Sequence, residues 1–204
     1  MSRPRTRLTT IARFAGITAL AGVLQVPLAA PAQTAEPVAN PQNQLGLSLV
    51  GGLALPGTID SSPGGSIDTK VGFVVRAAGD AMIVPKLSLG AYALLGSTSS
   101  DPGDIGAKIW GFGMTVKGHF RVQSVQLRAG LAVAFQLESA DVAGSETSKG
   151  FGIAPVLEAA IPIANTLNLL VQASFISQPA GGNSQADITW APIVYFAAGL
   201  EFVK

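Results

Sequence analysis

Eight stretches of this 204-residue chain alternate apolar and polar side chains with a period of two, joined in turn by tight connections and by longer polar ones. A period of two puts every second side chain on one face of an extended strand, so these stretches are expected to be sheet rather than amphipathic helix. The cleanest runs from Val125 to Leu137, where Val125, Leu127, Ala129, Leu131, Val133, Phe135 and Leu137 oppose Gln126, Arg128, Gly130, Ala132, Ala134 and Gln136. The other seven run from Gln44 to Leu55, Asp68 to Ala77, Lys86 to Gly96, Lys108 to Gly118, Gly150 to Ile161, Leu167 to Ile176 and Ala191 to Val203.

What precedes the strands reads as an address rather than a fold. Arg3, Arg5, Arg7 and Arg13 form a basic start, Phe14 to Val26 an apolar run, and Ala30-Pro31-Ala32 a small-x-small cleavage site, so residues 1–32 are expected to be a cleavable signal peptide. Residues 33–43, with Pro37 and Pro41, lack periodicity and read as a periplasmic linker. Without the signal, nine basic residues face twelve acidic ones, a net charge of −3, and no electrostatic footprint for nucleic acid remains. The absence of cysteine excludes disulfides, thiolate metal sites and a cysteine nucleophile.

Hydrophobic residues make up 48 % and charged ones only 12 %, an apolar balance for a water-soluble domain. No apolar run after the signal approaches the ~18 residues of a helical span. Each alternating stretch does reach the ~9–11 residues with which a tilted strand crosses a bilayer. Strands in lipid must close on themselves, since an open edge would leave amides without partners. Residues 44–204 are therefore expected to form an all-β, eight-stranded antiparallel up-and-down transmembrane β-barrel in the outer membrane, with short periplasmic turns, longer extracellular loops and the small, polar face inward. Trp110, Phe112, Phe135, Phe151, Phe175 and Trp190 fall on the outward parity near the loop ends, and Phe120 and Phe202 near the turn ends. Two aromatic girdles at the two interfaces have that distribution.

The last strand, Tyr195-Phe196-Ala197-Ala198-Gly199-Leu200-Glu201-Phe202-Val203-Lys204, resembles the C-terminal assembly signal of the OmpA/OmpX-like superfamily of small outer-membrane barrels, with Gly199 and Phe202 in matching places. The resemblance extends from Gln44 to Lys204 and rests on pattern. It implies recognition by the outer-membrane assembly machinery and a monomer in outer-membrane lipid. The chain ends in Lys204 where that family usually ends in an aromatic residue, and no peptidoglycan-binding segment follows the barrel.

Inward parity gathers Arg76, Lys86, Lys117, Arg128, Glu158 and Glu201 in the turn-side half of the lumen, where unpaired charge is costly, so a charge network is expected. Arg128 and Glu158 should meet across their ladder with Lys117 close by, while Asp80 falls beside the turn between the second and third strands. Pro155 cannot donate to a ladder, so a bulge or a solvated site is expected beside it. The loops hold Asp60, Asp101, Asp104, Glu138, Asp141, Glu146 and Asp187 against Lys149 alone, an acidic rim that could take divalent cations or a basic partner. His119, the only histidine, lies beside a tight connection and reads as a solvated turn residue. No catalytic, cofactor or metal constellation emerges, and the expected role is structural or in cell-surface interaction, with a side-chain-plugged lumen. Two alternatives remain: a membrane-integral lipid-modifying enzyme, which would need serine, histidine and carboxylate together, and a soluble lipocalin-like barrel with its apolar face turned inward around a ligand.

Overall fold

A computed structural model describes residues 44–101, 103–140 and 146–204. The signal peptide and linker expected over 1–43, and Asp141 of the acidic rim, lie outside the described residues. Along the chain come β1 (Leu45–Ala54), β2 (Thr58–Ser62), β3 (Gly65–Thr69), β4 (Gly72–Val84), β5 (Leu87–Asp101), β6 (Gly106–Val122), β7 (Val125–Ala140), β8 (Ser148–Ala164), β9 (Leu167–Gln178), β10 (Ala180–Gly182) and β11 (Asp187–Val203). Eight of them pair antiparallel in a ring, β1–β4–β5–β6–β7–β8–β9–β11, and β11 returns to β1 from Gly46↔Val203 to Ala54↔Tyr195. No ring strand is left with an open edge, which is what lipid demands of a sheet.

Three tight turns join the ring strands at one end. Lys86 and Gln123 hold left-handed φ angles of 75° and 55° there. At the other end the wall continues past the bilayer. β2 and β3 form a hairpin that pairs with β11 on one side and β5 on the other, and β10 bridges β8 and β11. This corrects the expected second strand, Asp68 to Ala77, which is split between β3 and β4. Several strands also outrun their expected loop ends: β5 reaches Asp101 and β11 starts at Asp187. Beyond the membrane both faces meet water, so hydrophobic alternation lapses while backbone pairing continues.

The interior and exterior are chemically opposite. Outward positions carry Leu49 at 59 %, Leu131 at 58 %, and Met114 and Phe151 at 62 % exposure, while Arg76, Lys117 and Glu201 inside are 1 % exposed. A continuous apolar belt of this kind is unsuited to water and matches hydrocarbon. It also overturns the lipocalin-like alternative, which places the apolar face inside.

Pro155 points outward at the expected irregularity. The β8–β9 ladder runs from Ala164 to Val156↔Ser174 and stops; pairing resumes at Phe151↔Ala180, one residue out of step. On the other flank of β9 the β11 ladder slips between Trp190 and Ile193, around Pro192. Each proline lacks the donor that would have continued its ladder.

Candidate functional site

Alternation along regular ladders fixes which side chains enter the lumen. β4 contributes Arg76 and Asp80, β6 Thr115, Lys117 and His119, β7 Arg128, β8 Glu158, β9 Gln172 and β11 Tyr195 and Glu201, all buried. Arg76, Lys117 and Arg128 meet Asp80, Glu158 and Glu201, three charges of each sign. Lys117 Nζ donates to Asp80 Oδ2 at 2.7 Å and to Glu158 Oε2 at 2.9 Å. Arg128 donates from Nη1 and Nη2 to the two oxygens of Glu201, at 2.5 and 2.7 Å. Arg76 Nη1 reaches across the barrel to Glu158 at 3.4 Å and to Gln172 at 3.1 Å, its guanidinium lying 4.5 Å over the Tyr92 ring.

Glu158 is the hub, touched by three cations, because Arg128 Nη1 also lies 3.7 Å from it. Arg128 and Glu158 are cross-strand partners in register. The tight fork of Arg128, however, grips Glu201 on the far wall. Small residues make room for these long side chains: a Cβ on Gly130, opposite Lys117, would come within 2.8 Å of the lysine Cγ, and one on Gly113, opposite Tyr92, within 2.8 Å of the ring.

Five expectations need correction. Lys86 is exposed, since its left-handed φ places it in the turn, outside the network. Asp80 belongs to the network, because β4 runs on to Val84 and gives it the parity of Arg76. His119 is buried, because β6 extends to Val122; its Nε2 shares a 2.7 Å hydrogen bond with Ser88 Oγ. Nδ1, the atom that an acid would hold in a Ser-His-acid triad, has no hydrogen-bond partner among the described residues. Trp190 is 2 % exposed and faces inward, because the slip around Pro192 inverts its parity. Its Nε1 donates to Glu138 Oε2 at 2.6 Å, so Glu138 lies at the lumen mouth rather than on the loop rim.

The other aromatic residues divide more simply. Trp110, Phe112, Phe151, Phe120 and Phe202 are exposed on the outer wall, and Phe135 and Phe175 are half-buried. Phe135 and Phe151 pair edge to face, centroids 5.3 Å apart. Gly199 lies so near β1 that a Cβ there would sit 2.7 Å from Val50 Cα, and Phe202 faces outward two pairs from the end of that seam.

Among the loops, Asp60 accepts from Ser66, Glu146 accepts from Ser184, and Lys70 donates to Asp104 at 2.7 Å. That lysine holds the Asp104 carboxyl below its ordinary range, and Asp104 in turn raises Lys70. Lys149 is thus not the sole cation near the acidic rim. Asp101 and Asp187 lie at strand ends of that rim. Neither Asp80 nor the Trp190–Glu138 contact was expected from the sequence; continuing the period of two past Ala77 would have found the first.

No family model matches the sequence, and no curated protein matches it. Solved structures do. Neisserial surface protein A is 15 % identical, with a TM-score of 0.58 over 78 % of this chain and 96 % of that one. The outer membrane protein OprG from Pseudomonas aeruginosa is 10 % identical, with a TM-score of 0.59 over 80 % and 96 %. The outer membrane protein AlkL, determined in lipid bilayers, is 10 % identical, with a TM-score of 0.53 over 84 % and 95 %. With charge within, an apolar belt without and a ladder closed on itself, the chain has the fold of the small eight-stranded outer-membrane β-barrels and sits in that membrane.

Proposed function

We propose that this protein is a closed-lumen barrel with a structural or cell-surface-interaction role, exported by its cleaved signal and neither a pore nor an enzyme. The observation that carries the reading is the charge layer around Glu158. Three cations and three carboxylates pair with one another charge for charge, which leaves little net field to attract a permeant ion. An eight-stranded wall encloses a space that side chains of this size fill. The lipid-enzyme alternative loses support from the same region, since the Ser88–His119 pair is buried inside the wall, away from lipid, and no acid among the described residues meets Nδ1. Loop carboxylates remain the surface on which divalent cations or a basic partner would act.

Reconstitution into planar bilayers tests the closed lumen. The expected record is a silent bilayer; steady single-channel currents, abolished or reversed in selectivity by Lys117→Glu, would establish a pore instead.

A further inference from the structure

Above the charge layer the lumen mixes large side chains such as Tyr92, Leu94 and Tyr195 with small ones. A cavity of about 10 Å³ lies there, lined among others by Ala132 and Ala154, by Gln136, Ser174 and Ser177, and by Arg76. Arg76 is 1 % exposed. Its Nη1 is committed to Glu158 and Gln172, but Nη2 is buried with no hydrogen-bond partner among the described residues. A buried donor without an acceptor is destabilising, the more so when it is charged.

We propose that this cavity is a binding site for a single ordered water, which accepts a hydrogen bond from Arg76 Nη2. The volume matches the ~10–15 Å³ that one water needs, and a water also needs two to four polar partners. Ser174 is suited to be one: its hydroxyl donates to the Pro155 carbonyl at 2.8 Å and keeps lone pairs for a water to donate to. An anion would satisfy Nη2 equally well in geometry. Charge decides between them, because the lumen cations are already matched one for one by carboxylates, so an added anion would leave an uncompensated negative charge in a dry interior. The site does not depend on whether the barrel conducts.

The test uses the full chain in detergent. In a crystal structure, one peak of density is expected within hydrogen-bond distance of Arg76 Nη2, with no anomalous signal when bromide replaces chloride. An anomalous peak would overturn the proposal in favour of an anion, and an empty site would overturn it in favour of a dry cavity. The isosteric pair Ala154→Thr and Ala154→Val gives a second readout. Both displace the water, but only threonine brings a hydroxyl that can accept from Nη2. Its folded-to-unfolded ratio should exceed that of the valine variant about tenfold. A valine variant at least as stable as threonine would show that Nη2 needs no acceptor there. Should neither variant fold, the wild-type density decides.

Discussion

The two halves of the lumen are held shut in different ways. Near the tight turns, six buried charges share contacts so that Glu158, Glu201 and Lys117 each have more than one partner. At the loop end a buried apolar cluster that includes Leu94, Ile109, Ile176, Trp190 and Ile193 fills the lumen, and the indole of Trp190 also donates to Glu138. The lower layer sits where the ladders are in step, the β4–β5 and β8–β9 slips at Met82/Val84 and Pro162/Ala164 falling below it at the turns, whereas the upper layer lies beside the two slips at Pro155 and Pro192. Redundant contacts over a regular wall make a rigid floor. Apolar packing with few directional bonds, set beside two ladder breaks, makes the mouth the more adaptable end.

If that contrast is right, the largest loss belongs to the hub of the floor. Glu158→Ala leaves Arg76, Lys117 and Arg128 sharing two carboxylates in a dry interior, an expected destabilisation of about 3–5 kcal/mol by unfolding in detergent. A loss under 1 kcal/mol would mean that water reaches the layer. Next comes the pairing of Arg128. A double-mutant cycle with Glu201→Ala should give a coupling of about 2–3 kcal/mol, and a cycle with Glu158→Ala a smaller one of about 0.5–1 kcal/mol. Equal couplings would move the principal partner of Arg128 back to its neighbour in register. At the mouth, Glu138→Ala should cost about 1 kcal/mol, for one buried hydrogen bond, and shift the fluorescence of Trp190. A cost matching that of Glu158→Ala would erase the contrast between floor and mouth.

The floor was readable in the sequence and the mouth was not. Arg128 and Glu158 keep the parity assigned to them because the β7–β8 ladder runs in step from Gln126↔Ala160 to Glu138↔Ser148, and the slip between Pro162 and Ala164 falls outside it, at the turn. Trp190 has an even number, like the outward Phe196 and Ala198, yet faces in, since one extra residue around Pro192 inverts everything beyond it. Alternation records which face a residue shares with its neighbours in the strand, and a bulge resets that record without a hydrophobic signal of its own. Lys86 was misplaced for a related reason: a left-handed turn residue belongs to neither face. Asp80 was missed because the small residues Ala77, Ala78 and Gly79 mute the alternation while the strand continues.

The smallest expected effect lies outside the barrel wall, at Lys70 and Asp104. The folded-state carboxyl of Asp104 is held below its ordinary value of 3.8, so its contribution is present above that pH and lost as pH falls through the lower folded value. Lys70 is raised above 10.5, so its share is present below that pH and lost as pH rises through the higher one. Because both groups are open to solvent, Asp104→Asn should leave the unfolding midpoint nearly unchanged at neutral pH and flatten only the acid and alkaline limbs. A marked shift at neutral pH would mean that the loops stabilise the barrel as much as the floor does.

The seam between β1 and β11 also sets an order of events. Gly46 pairs with Val203, so the first and last strands of the ring must find one another across nearly the whole barrel sequence. Contacts of such separation form slowly, because the entropy of closing the loop is lost before any pairing repays it. The hairpin β2–β3 adds to the wait, since its partner is the far end of the same last strand. Until β11 arrives, β1 and every partial sheet built on it carry an unpaired edge and a greasy outer face together. Those are the two features that drive strands to pair with the wrong chain, so the time between export and closure is when this protein is most exposed to aggregation.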